Sequence, residues 1–252
     1  MRRTKTAILL KIAILVIATV AHAGNFTLTG NDHLDVTTSY DDGDLCDFST
    51  ANIIEGGSVK RLDARNNSTV NESGGSVDLL TTYNNSIANI SGGSVYILVS
   101  QKGTVNMSGG YVPYFNSSGN SIVNMSNGSV MEFETTISST VNLSGGSITS
   151  NFHASNNSII NISDGSIAGR IRAYDDSIFN ISGGNITASL AVFSRGTVIF
   201  DGYGFKLGDG LLWDIDGKTI LGTGVLTGNW FDGTNWSIRI VRNDSTAAIM
   251  TI

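Results

Sequence analysis

Apolar and polar positions alternate through most of the chain within one short phrase that keeps returning. It reads Ser68-Thr-Val-Asn-Glu-Ser-Gly-Gly-Ser-Val77, then Ser86-Ile-Ala-Asn-Ile-Ser-Gly-Gly-Ser-Val95, Ser139-Thr-Val-Asn-Leu-Ser-Gly-Gly-Ser-Ile148 and Ser177-Ile-Phe-Asn-Ile-Ser-Gly-Gly-Asn-Ile186. The second glycine of each turn falls at Gly57, Gly75, Gly93, Gly110, Gly128, Gly146, Gly165 and Gly184, so the spacing is 17 to 19 residues. Period two within the phrase predicts strands with one face turned inward. Val70, Ala88, Val105, Val123, Val141, Ile160, Phe179 and Val198 form one apolar column, and Ile90, Met107, Met125, Leu143, Ile162, Ile181 and Phe200 the column two residues on. Beyond the turn, Val59, Val77, Val95, Val112, Val130, Ile148, Ile167 and Ile186 make a third. Leu62, Leu80, Leu98, Phe115 and Phe133 make a fourth, continued one place later by Phe152, Ile171 and Leu190. The delay coincides with the longer spacings and puts their extra residue between the turn and this column.

About 18 residues is too short for a helix-pair repeat or a propeller blade. It fits one coil of an all-β, single-stranded parallel β-helix, a β-solenoid in which equivalent strands stack about 4.8 Å apart. Nine recognisable coils over residues 50–202 would rise about 40 Å at that spacing. Asn71, Asn89, Asn106, Asn124, Asn142, Asn161 and Asn180 lie between the two inward columns. Asn is a poor strand former, and its recurrence points to a ladder of side-chain amides from coil to coil. Ser73, Ser91, Ser108, Ser126, Ser144, Ser163 and Ser182 form a second polar column. Corners with left-handed backbone are expected at the Gly-Gly pairs, with Asn127 and Asp164 standing in for the first glycine. A second set is expected at Asn66-Asn67, Asn84-Asn85, Asn156-Asn157 and Asp175-Asp176. Residues 24–49 read as an N-terminal cap with a degenerate coil, His33-Leu-Asp-Val-Thr37 placing Asp35 in the Asn column. Residues 203–252, which hold Trp213, Trp230 and Trp236, read as a C-terminal β-hairpin cap whose aromatics close the last coil.

Residues 1–23 have the pattern of an export signal: basic Arg2, Arg3 and Lys5, an apolar run from Ala7 to Val20, and Ala21-His-Ala23 as a small-x-small cleavage site. Cleavage leaves a chain with no membrane-spanning segment. The signal carries four basic residues and no acid, so the mature chain keeps 11 basic residues against 21 acidic ones. That balance argues against a nucleic-acid partner. At 40% hydrophobic residues the chain is too apolar for disorder, and one cysteine excludes a disulfide scaffold. Cys46 is expected as a small buried residue.

The Ser-x-Val-Asn-Ile-Ser-Gly-Gly-Ser-Val phrase resembles the parallel β-helix repeats of exported bacterial surface proteins, the autotransporter passengers and the proteins with a Pro-Glu-Pro sorting signal. The tail Leu226-Thr-Gly-Asn-Trp-Phe-Asp-Gly-Thr-Asn-Trp236 is similar to the segment that often precedes such a signal. The 252 residues show no Pro-Glu-Pro motif, anchor helix or outer-membrane barrel, so the resemblance is to these proteins without their anchor. It implies a secreted or cell-surface rod and says little about activity.

Polysaccharide lyases and hydrolases are the main enzymes on this fold, and they need two or three carboxylates close together. Of the strand-borne acids Asp63, Asp78, Glu132 and Glu134, none is expected to gain a carboxylate partner from the next coil. The weak catalytic alternative is Arg170 and Arg172 beside Asp175 and Asp176. Asp41, Asp42 and Asp44 are a weak candidate for a metal site and are expected as an acidic capping loop. His33 and His153 lie coils apart and are expected as separate surface residues. The column Thr69, Ile87, Thr104, Ile122, Thr140, Ile159, Ile178 and Thr197 is too mixed for an ice-binding face. Tyr83, Tyr96, Tyr111 and Tyr114 are candidates for stacking on sugars. The sequence therefore leads to the expectation of a non-enzymatic, structural or adhesive surface module, monomeric and without cofactor. Extracellular polysaccharide or other surface proteins are its expected partners, and a carbohydrate-active enzyme or carbohydrate-binding module is the alternative.

Overall fold

The computed structural model describes residues 24–214, 216–243 and 248–251. The export pattern of residues 1–23 lies outside them. The described residues contain no helix and wind into a β-solenoid of about ten coils. One coil shows the plan: a short strand Ile87–Ile90, a glycine corner, a longer strand Ser94–Gln101, and a second corner at Lys102-Gly103 leading to the next strand. In the middle of the rod the two strands run together through the glycine corner, giving Thr104–Ser118, Ile122–Thr135 and Thr140–Ala154. Neighbouring coils pair in parallel with like residues in register, as at Asn89, Asn106, Asn124 and Asn142.

The four apolar columns fill the interior, every member no more than 5% exposed. Burial of these columns is the main force holding coil on coil, since each buried methylene contributes about 0.8 kcal/mol. Phe115, Phe133 and Phe152 stack almost parallel, with centroids 4.5 and 5.0 Å apart. The extra residue of the longer coils enters as a register shift between Val130 and Glu132. The inward column that holds Ile90 has one foreign member. Ile53, Glu72 and Ile90 are in register, and Glu72 is fully buried.

The amide ladder runs unbroken from Asn180 through Asn161, Asn142, Asn124, Asn106, Asn89 and Asn71 to Asn52. Each Nδ2 donates to the Oδ1 of the preceding coil at 2.8 to 3.0 Å. Asn52 in turn donates to Asp35 at 2.7 Å, and this hydrogen bond is the first cause of the Asp35 carboxyl lying below its usual range. The ladder lies on the outer surface, half-exposed, where water competes for each amide. Asn124→Leu is accordingly expected to cost about 1 kcal/mol, read as a lowered midpoint of thermal unfolding. An unchanged midpoint would mean that water replaces the ladder bonds without loss.

The second corner is a pair of left-handed residues in successive coils, including Asn66-Asn67, Asn84-Asn85, Asn156-Asn157 and Asp175-Asp176. The same pair occurs at Asp47-Phe48, Ile137-Ser138 and Ser194-Arg195, where no Asn marks it. A fully buried serine follows several of these corners, and Ser86, Ser158 and Ser177 donate to backbone carbonyls at 2.7 to 3.1 Å. At the glycine corner the second residue is left-handed from Gly93 to Gly184. Asn127 and Asp164 do not have the positive φ expected of them, because the next residues, Gly128 and Gly165, take it at 92° and 105°. Gly57 also departs from that expectation: its φ is not positive, and it is required for space, since a Cβ there would lie 2.0 Å from the Val36 carbonyl oxygen.

The N-terminal segment forms a full coil, with Asn25–Leu28 and His33–Val36 paired in parallel to Ser39–Leu45 and Thr50–Ile53. Past residue 202 the chain makes a hairpin cap, Gly224–Asn229 running antiparallel to both Tyr203–Leu207 and Asn235–Asn243. This segment is more than a cap. Asn235–Asn243 and Ala248–Thr251 also pair in parallel with Ser189–Val192 and Thr197–Phe200, so the solenoid resumes for one last coil. Ile238 and Ile240 supply its inward positions, and Trp236 stacks on Phe200 at 4.9 Å and on Trp230 at 4.8 Å. Trp230 Nε1 donates to the Gly184 carbonyl at 2.9 Å, which ties the cap to the rod.

Candidate functional site

The register of the longer strands brings chemistry together on one flank of the rod. One outward column runs Ile97, Tyr114, Glu132, Asn151 and Arg170 in successive coils; the next runs Val99, Asn116, Glu134, His153 and Arg172. At about 4.8 Å per coil, the step from Tyr114 to Arg170 is roughly 14 Å. A groove of about 260 Å³ lies here, lined by Tyr114, Asn116, Glu132, Glu134, Asn151 and His153 above the strands that carry Phe115 and Phe133. The Tyr114 ring on its wall meets the Tyr96 ring edge to face at 5.5 Å, and Tyr96, Tyr111 and Tyr114 are all exposed. The neighbouring Tyr96 phenol is the main influence raising the Tyr114 phenol above its usual range.

Glu132 accepts from Asn151 Nδ2 at 3.2 Å and Glu134 from Asn116 Nδ2 at 3.4 Å. Two positions apart on one strand, the two glutamates share a face, their Cα atoms about 6.6 Å apart. The His153 ring is held below its ordinary pKa first by burial and then by the Arg172 guanidinium. Arg172 Nη1 lies 2.8 Å from His153 Nε2. An arginine can only donate, so Nε2 accepts and the proton sits on Nδ1. His153, set apart as a surface residue by the sequence reading, thus stands beside Glu134 and Arg172 in the same site.

The residues of the weak catalytic alternative are not joined by ion pairs in the structure. Asp175 and Asp176 occupy the left-handed corner, and Arg195 Nε holds Asp176 at 2.8 Å. Arg170 and Arg172 project from the strand Arg170–Ala173, and among the described residues neither forms an ion pair with either aspartate. The acidic trio is also placed differently from the capping loop expected of it. Asp41, Asp42 and Asp44 belong to the strand Ser39–Leu45, because Gly43 and Leu45 turn inward on the core. Lys60 pairs with Asp41, and Arg65 with Asp44 at 2.9 Å. These cations already compensate the oxygens a metal would need. Among the described residues no group of three or more His, Cys, Asp or Glu is placed to hold a metal ion. Nor is any helix there long and apolar enough to cross a membrane.

Asp63 is buried, with Arg61 and Arg65 both at 2.8 Å, and Arg65 also lies 5.6 Å from the Tyr83 ring. Tyr83 is thus half-buried beside Arg65, unlike the exposed Tyr96, Tyr111 and Tyr114. Cys46 is half-buried at a corner rather than enclosed. Comparison of the chain with protein-family models, with curated proteins and with solved structures gives no match.

Proposed function

We propose that the chain is an exported, non-enzymatic β-solenoid that serves as an adhesive module at the cell surface or outside the cell, holding extracellular polysaccharide on its flank. The observation that carries this reading is the exposed tyrosine edge, Tyr96, Tyr111 and Tyr114, set against a groove of carboxylates and amides. Aromatic faces beside polar groups are what sugar rings stack on and hydrogen-bond to. Export rests on the pattern of residues 1–23. The Glu132 and Glu134 pair favours a second reading, a polysaccharide hydrolase, since two carboxylates on one face of the groove are what such an enzyme uses as acid and base.

The two readings part in one experiment. The mature chain, residues 24–252, is screened for retention on immobilised polysaccharides and for depolymerisation of the same polymers, with and without Ca²⁺. Retention without cleavage, unaffected by Ca²⁺ and lost in the Tyr96→Ala, Tyr114→Ala double variant, is the expected result. Chain shortening that disappears in Glu132→Gln would overturn the non-enzymatic reading in favour of the hydrolase.

A further inference from the structure

We infer that the groove takes a glycan bearing free amino groups, a hexosamine chain laid along the rod, an inference that rests on the adhesive reading and names its ligand. Glu132 and Glu134 face outward side by side, and their hydrogen-bond partners are the amides of Asn151 and Asn116. Among the described residues, no Lys, Arg or His nitrogen comes within ion-pair distance of either carboxylate. Two adjacent like charges repel, and an ammonium group between them relieves that repulsion. The Tyr114 ring stands one coil step from Glu132, where the same sugar stacks on it and its ammonium gains from the ring face.

The far end of the site sets its limit. Arg170 and Arg172 lie two coils beyond the glutamates, so an amine is attracted at one end of the strip and repelled at the other. A uronate or sulfated glycan meets the reverse field over the stretch that holds Tyr114, Glu132 and Glu134. The rise of one coil is close to the length of one sugar ring, so consecutive residues of an extended chain meet consecutive coils. A lysine-rich peptide offers the ammonium groups but no rings for the tyrosines.

Calorimetric titration of the mature chain at low salt, with five hexamers as probes, tests this. They are oligomers of glucosamine, N-acetylglucosamine, glucose, galacturonate and lysine. The glucosamine hexamer is expected to bind at least about tenfold more tightly than each of the others, and Tyr114→Ala to weaken it about tenfold. Added salt should weaken it as well. The Glu132→Gln, Glu134→Gln double variant should bind the acetylated and free-amine oligomers alike. Both sets of changes are on the surface, and unchanged thermal unfolding verifies that the variants fold. Equal binding of acetylated and free-amine oligomers by the parent chain would overturn the amine assignment and leave the adhesive reading standing. Preference for galacturonate would do the same, and lysine hexamer binding as tightly as glucosamine would make this a peptide surface. Failure of every glycan to bind would remove both readings.

Discussion

Phe133→Ala is expected to lower the stability of the rod by about 3 to 5 kcal/mol, the range for emptying an aromatic from a packed core. Phe133 is 1% exposed and stacked between Phe115 and Phe152. Those rings are held by the backbone register of three successive coils and cannot close over the gap without breaking it. Phe133 underlies the strand that carries Glu132 and Glu134, so the variant is also expected to weaken glycan retention. Phe133→Leu, which fills most of the volume, should cost less than half as much. Denaturant titration reads both. A loss below about 1.5 kcal/mol for Phe133→Ala would show that the core relaxes around the vacancy and that the stack is not a rigid support.

The second large effect concerns Glu72, a carboxyl in an apolar column. Its Oε1 accepts from the Gly74 and Gly75 amides at 3.1 and 2.7 Å, while Oε2 is buried without a partner. The missing side chain of Gly93 makes the room: a Cβ there would lie 2.0 Å from Oε1. Burial, the largest influence, pushes the Glu72 pKa from 4.5 up to about 7 against the pull of the two amides. Below pH 4.5 the group is protonated in both the folded and the unfolded chain. Between pH 4.5 and about 7 the folded chain keeps a proton that the unfolded chain releases, so stability falls as pH rises. The full loss is about 3 kcal/mol. Glu72→Gln should flatten that part of the stability–pH curve. Glu72→Ile, which continues the column between Ile53 and Ile90 but leaves the Gly74 and Gly75 amides to water, should remove the same slope and stabilise the chain at pH 8 by about 1 kcal/mol, the relief of the buried charge outweighing the two lost hydrogen bonds. A curve for Glu72→Gln that keeps the slope of the parent would show that another group is responsible.

These two residues mark where the sequence is legible and where it is not. Phe133 was placed by periodicity alone, because a core column in a solenoid repeats with the coil and each member confirms the others. The Asn ladder was legible for the same reason. Glu72 is not legible in this way because it breaks the pattern that identifies its neighbours. The buried serines were hidden in Asn-Asn-Ser, which reads locally as a solvated turn. Phe48 and Ile137 occupy the same left-handed corner as the Asn pairs, and no propensity points there. The last coil is not legible in the sequence because the hairpin cap separates Ile238 and Ile240 from the repeat. The groove draws on four coils and a register shift at Val130, so His153 meets Glu134 through a geometry that no single repeat displays. The tyrosines stand out as candidates in the sequence, but nothing there separates Tyr83, half-buried beside Arg65, from the exposed Tyr96, Tyr111 and Tyr114.

The central claim is that this flank of the rod is a recognition surface, and hydrogen–deuterium exchange of the mature chain with and without a retained glycan tests it most directly. The account predicts slower exchange confined to residues 97–101, 114–118, 132–135 and 151–154. The strands of the Asn ladder on another face, such as Thr69–Glu72 and Ile87–Ile90, should be unchanged. Protection on those ladder strands, or at the junction of the cap around Trp230 and Trp236, with none at Tyr114 to Glu134, would contradict it.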